Sequence, residues 1–178
     1  MDKTGDRVIE RLESLLERMN AALARIEETV IDLDQRADET GVRESIAQVE
    51  ALIAREDERG VPAERLLLAG FSQGGAIALA AGVRRERPLA GLIGLSTYLP
   101  MGSTTKAEAA PQSLATPVFM AHGSHDPVVP ESLGERSRQA LQALGMAIDW
   151  HAYPMPHSVC AEEVRDLGDW LETRFRAG

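Results

Sequence analysis

A chain of 178 residues suits a single domain whose core needs no metal or disulfide staple. With 19 basic against 28 acidic residues and a net charge of -9, it excludes a general nucleic-acid surface, which requires Lys and Arg in excess. The single cysteine, Cys160, excludes an internal disulfide framework and suits a reducing, cytoplasmic setting, and no apolar run reaches the length of a membrane span.

The amino terminus opens on a charged amphipathic stretch rather than the apolar core of a secretory signal. Ile9, Leu16, Leu23 and Val30 recur every seven residues, as do Leu12, Met19, Ile26 and Leu33, and the two sets interleave as a heptad seam. Val8, Leu15 and Ala22 widen the stripe beyond what a two-stranded coil needs. The spacing therefore predicts a long amphipathic helix over residues 1–35. Such a helix packs on the chain's own core or pairs with a second copy as a homodimer.

Residues 36–178 read differently, as short apolar runs alternating with amphipathic ones. A helix is expected from Thr40 to Glu56, with Val42, Ile46, Val49 and Ile53 on one face, and Gly60-Val61-Pro62 breaks it. Buried strands are expected at 65–70, 89–96, 118–121 and 147–153. Between and after them lie helical patterns: 76–85, stopped by Pro88; 133–144, opened by the capping box Ser132-Leu133-Gly134-Glu135 and closed by Gly145; and 164–175. Alternation at this spacing predicts an α/β architecture with a mainly parallel sheet of about four strands flanked by helices, its ligand site beyond the carboxyl ends of the strands. The stretch 97–116 reads as a polar, alanine-rich loop.

Gly70-Phe71-Ser72-Gln73-Gly74 is a G-x-S-x-G sequence set between a predicted strand and a predicted helix. There a tight turn needs glycine on both flanks, so that the Ser72 hydroxyl projects above the sheet and the backbone N–H of Gln73 faces a reacting carbonyl oxygen as an oxyanion donor. A serine hydroxyl attacks only when a base takes its proton, and the base must itself be oriented. In the chain order Ser, acid, His, the base lies beyond the third strand. His151 falls inside the fourth apolar run, whereas His157 occupies the loop after it. Asp126 follows the third strand within five residues and is the candidate acid, with a turn role before Pro127 as the alternative. His122 and His125 flank it, but no metal-ligand motif accompanies them, and no metal or other cofactor is expected.

From about residue 32 onward the chain resembles the phospholipase/carboxylesterase family of α/β-hydrolases, which includes carboxylesterases and acyl-protein thioesterases. The resemblance rests on Arg36-Ala37-Asp38-Glu39, on Leu68-Ala69-Gly70-Phe71-Ser72-Gln73-Gly74-Gly75-Ala76, on Leu95-Ser96-Thr97-Tyr98-Leu99-Pro100, on His122-Gly123 with Asp126-Pro127-Val128-Val129, and on Tyr153-Pro154-Met155-Pro156-His157. It implies Ser72, Asp126 and His157 as nucleophile, acid and base, a small ester or acyl-thioester substrate, and no cofactor. Family members begin with several strands and a His-Gly-Leu-Gly loop that gives the second oxyanion N–H. That sequence is absent here, so the expectation is a truncated α/β-hydrolase of lowered activity, whose first strand is a sheet edge covered or dimerised by the heptad helix. Two rival readings stay open: a catalytically silent remnant that binds or assembles, and a functional coiled coil carrying the rest as passenger.

Overall fold

The computed structural model describes residues 39–176, so the heptad-patterned segment and its expected packing or self-association lie outside the described residues. Helix α1, Glu39–Glu58, follows the predicted face, burying Val42 and Ile53. Gly60 stops it with φ +88°, while the N–H of Val61 reaches the carbonyl of Glu56 and that of Gly60 reaches Asp57, a glycine-closed helix end that satisfies the last carbonyls. Strand β1, Leu67–Phe71, then runs into helix α2, Gln73–Val83. Next come β2, Gly91–Leu95; α3, Gly102–Glu108; β3, Val118–Gly123; α4, Glu131–Ala143; β4, Ile148–Tyr153; and α5, Ala161–Arg176.

The four strands form one sheet in the order β1-β2-β3-β4, every neighbouring pair parallel, which bears out the predicted α/β class. Alternating side chains feed two apolar layers, as the period of two along a strand requires. On one face Leu92, Val118 and Met120 pack with Ile53 of α1, Leu79 and Val83 of α2 and Leu141 of α4. On the other, Ile93, Phe119, Ala121 and Tyr153 pack with Trp170 of α5. Helix α5 lies over β3 and β4, and on β1, an edge strand among the described residues, Ala69 and Phe71 are exposed. All strand ends that carry chemistry emerge on the same side, because the sheet is parallel throughout.

Two local expectations are corrected. The capping box at Ser132 does not form: α4 starts two residues earlier than expected, with Pro130 at the cap and no side-chain cap bond, so Ser132 already lies in the first turn. The stretch 97–116 is not an open loop but holds α3 and a 3-10 turn at Pro111–Ala115. Neither has an apolar period to announce it. Helix α3 is held by charge, since the Glu108 carboxylate takes Arg43 Nη2 and Arg84 Nε, each at 2.7 Å. These two guanidinium groups bring Glu108 down to about 2 from an ordinary 4.5. A carboxyl with a lowered folded value adds stability that is present above its unfolded value and lost as pH falls through the folded one. Glu108→Gln is therefore expected to lower the melting temperature above pH 5, with the difference from the parent shrinking below pH 4.5 and closing near pH 2; a difference independent of pH would remove the ion pairs from the account.

Candidate active site

The turn at the end of β1 is built around a close approach of backbone to backbone. A methyl group on Gly70 would lie 2.2 Å from the carbonyl carbon of Gly74 and 2.4 Å from the nitrogen of Gly75, and one on Gly75 would meet the carbonyl oxygen of Gly70 at 2.8 Å. Gly74, the second glycine of the motif, faces open space. The steric pair is thus Gly70 and Gly75, and Gly74 contributes only its backbone. Squeezed between them, Ser72 adopts φ +54°, ψ -125°, a conformation that side chains rarely take and that costs about 1–3 kcal/mol. The strained backbone is tied down on two sides: Ser72 N–H donates to the carbonyl of Leu95 on β2 at 2.9 Å, and Thr97 Oγ1 donates to the carbonyl of Ser72 at 2.7 Å. Thr97 also packs its side chain on Gly75. Thr97 lies in the Leu95–Pro100 stretch that carries the resemblance, but no local pattern gives it this role, because its partner is a main-chain oxygen 25 residues away.

Asp126 sits in the loop after β3, and its carboxylate is fully withdrawn from solvent. Oδ1 accepts the N–H groups of Val128 at 2.8 Å and Val129 at 2.9 Å. Oδ2 lies 2.7 Å from His157 Nδ1. Burial pushes this carboxyl up, but the imidazole bond and the Val129 and Val128 N–H bonds outweigh it and hold the group below its ordinary range, ionised at neutral pH. A carboxylate only accepts, so Nδ1 of His157 carries the hydrogen and Nε2 is left with a lone pair. That lone pair faces Ser72 Oγ at 3.0 Å. The three side chains, each at the carboxyl end of a different strand, therefore form one continuous hydrogen-bonded chain. The His157 ring is also fixed by Phe71, whose ring centre lies 4.7 Å away, and the loop beneath it is seated where the N–H of His125 donates to the Met155 carbonyl.

The remaining candidates fall elsewhere. His151 is a side chain of β4, stacked on Phe119 and bonded to Asp149, in a cleft lined by Asp166 and Trp170 that does not include Ser72. His125 is exposed in the Asp126 loop. His122 is wholly buried, with Nε2 at 2.9 Å from the Val129 carbonyl. Among the described residues no group of three or more His, Cys, Asp or Glu side chains could hold a metal ion. Gln73 opens α2, so its N–H is one of the first-turn donors that have no partner within the helix. Cys160 caps α5 through its sulfur, which accepts the Glu163 N–H at 3.5 Å.

Comparison with known proteins identifies the family and the fold. Residues 28–175 match the family model described as Phospholipase/Carboxylesterase. The chain is 39% identical over 154 residues to acyl-protein thioesterase 1 of Mycosarcoma maydis, covering 79% of this chain and 64% of that protein. It is 42% identical over 147 residues to acyl-protein thioesterase 1 of Neurospora crassa, covering 80% and 60%. It thus spans less than two thirds of the length of these relatives. Among solved structures, Arabidopsis thaliana SOBER1 superposes with a TM-score of 0.74 at 29% identity, over 78% of this chain and 66% of that one. Zea mays acyl-protein thioesterase 2 superposes with a TM-score of 0.67 at 30% identity, over 76% and 65%.

Proposed function

Because this chain belongs to the phospholipase/carboxylesterase family, we propose that it is a serine hydrolase that cleaves carboxylic esters or thioesters of short to medium acyl chains through an acyl-serine intermediate. The observation that carries the reading is the unbroken chain from Ser72 Oγ to His157 Nε2 at 3.0 Å and from His157 Nδ1 to Asp126 Oδ2 at 2.7 Å. In the first step Ser72 Oγ bonds to the carbonyl carbon as its proton passes to His157 Nε2, and Asp126 stabilises the imidazolium. The developing oxyanion is met by the N–H of Gln73. Collapse then expels the alcohol or thiol with the proton from His157. Water repeats the sequence on the acyl-serine and releases the acid.

Three exposed apolar side chains support an acyl substrate. Phe71, Val128 and Val159 are 38%, 65% and 46% exposed, and each stands within two residues of Ser72, Asp126 or His157. Exposed apolar residues gathered at one place mark a binding surface more often than chance exposure does. Each methylene buried on such a rim contributes about 0.8 kcal/mol, so kcat/KM for p-nitrophenyl esters is expected to rise by up to about fourfold per methylene from acetate to butyrate or hexanoate and then level off. Of the oxyanion donors this family uses, only Gln73 is assigned among the described residues, and one lost donor typically costs about 10² to 10³ in turnover, so slow hydrolysis is part of the reading. The decisive measurement pairs this ester series with fluorophosphonate labelling. Labelling together with slow turnover supports the hydrolase. No labelling, with hydrolysis no faster than buffer for every ester, leaves the silent remnant. The single cysteine remains the basis for placing the enzyme in the cytoplasm.

A further inference from the structure

We propose that His122 is a positioning residue for Asp126: its Nε2–H, bonded to the carbonyl of Val129, holds the loop whose N–H groups fix the carboxylate. The proposal rests on the hydrolase reading of Ser72, Asp126 and His157 and adds a fourth side chain to it. His122 has no solvent exposure, and its Nε2 lies 2.9 Å from the Val129 oxygen and 3.6 Å from Asp126 Oδ2. Both neighbours only accept, so Nε2 carries the hydrogen. Nδ1 has no hydrogen-bond partner among the described residues. It presses on helix α4 at Gly134, where a methyl group would come within 2.4 Å of it. A buried ring nitrogen without a partner is a cost that an apolar side chain of similar bulk would avoid. The polar ring is therefore accounted for by its other nitrogen.

What that nitrogen grips is the residue that orients the acid. Val129 is 8% exposed, gives its N–H to Asp126 Oδ1 at 2.9 Å, and gives its carbonyl to His122. Without the His122 donor the Val129 carbonyl is buried and unpaired, and the chain gains by turning it towards water, which draws the N–H off the carboxylate. Asp126 has no exposed side-chain surface through which water could replace that bond. Its Oδ2 would then drift from His157, and displacements of about 1 Å in such a constellation cost about 10²-fold in rate. The close fit of the imidazole between Gly134 and Trp150, ring centres 6.1 Å apart for the latter, keeps the ring in the one orientation that serves Val129.

The test compares two replacements. His122→Leu keeps the bulk and removes the donor, whereas the side-chain amide of His122→Gln can reach the same carbonyl. Leu is expected to lower kcat of butyrate-ester hydrolysis by about 10- to 100-fold with little change in KM. It should also move the acid limb of kcat/KM to lower pH, since a carboxylate that has drifted stabilises imidazolium less. Gln is expected to restore most of the rate and the parent profile. Equal rates in Leu and Gln, or an unshifted profile in Leu, overturn the proposal. If Leu does not fold, His122→Asn, polar but too short to reach Val129, takes its place against Gln with the same expected outcomes. Should even the parent protein hydrolyse nothing, the hydrolase reading fails separately. The low-field proton of His157 Nδ1–H then decides positioning alone: its loss in Leu and retention in Gln supports it, and its retention in both overturns it.

Discussion

Ser72→Ala is expected to abolish fluorophosphonate labelling and to reduce ester turnover to the uncatalysed background plus whatever the remaining donors supply. No other hydroxyl is held 3.0 Å from His157 Nε2 among the described residues, so no substitute nucleophile is in place. Loss of the nucleophile in such a unit costs about 10⁶-fold in well-developed enzymes, and the drop here is bounded by the parent rate, which is expected to be slow with a single assigned oxyanion donor. Stability separates this loss from unfolding. Alanine at φ +54° carries the same steric penalty as serine, so the melting temperature of Ser72→Ala should stay close to that of the parent. Ser72→Gly is likewise expected to lose activity, but it relieves the left-handed strain and should gain about 1 kcal/mol, a rise of roughly 2–4 °C for a domain of this size. A more stable, dead Gly variant beside an equally stable, dead Ala variant shows that strain is stored at the nucleophile. Retained labelling in Ser72→Ala removes Ser72 from the mechanism.

Much of this site could be read from the chain because each of its parts obeys a local rule. Ser72 was marked by glycines at a junction where strand character gives way to helix, and His157 was separated from His151 because one lies after an apolar run and the other inside it. What escaped has long-range causes. The need for glycine falls on Gly75 rather than on Gly74 because Thr97 and the Gly70 carbonyl crowd that position from across the turn. Helix α3 carries Gly102-Ser103-Thr104-Thr105-Lys106-Ala107-Glu108, with no apolar stripe, and is fixed by Arg43 and Arg84 from distant parts of the chain. His122 was visible as a histidine beside a candidate acid, but its grip on the Val129 carbonyl depends on how the loop folds back over β3. Local chemistry marks the reacting atoms, and the groups that hold them are set by tertiary contact.

The same bonding pattern makes Asp126→Asn the most discriminating single-atom change. The two N–H groups of Val128 and Val129 both donate to Oδ1, so that position must be filled by an oxygen. An asparagine is thereby forced to turn its NH₂ towards His157, at the place where Oδ2 now accepts the Nδ1 hydrogen at 2.7 Å. The reversed amide would set donor against two donors in a site withdrawn from water, a cost on the order of 1–3 kcal/mol. Facing a donor, His157 must keep Nδ1 unprotonated and carry its hydrogen on Nε2, which then points at the Ser72 hydroxyl it is meant to deprotonate. The side-chain volume is unchanged, so folding should survive. The expected result is a fall of about 10⁴ in kcat for butyrate-ester hydrolysis, with fluorophosphonate labelling slowed in proportion and near-ultraviolet circular dichroism unchanged. A variant within tenfold of the parent would mean that Asp126 does not set the imidazole tautomer, and the acid would have to be sought elsewhere. The magnitude also bears on the rival reading, because a silent remnant has no tautomer-dependent rate to lose.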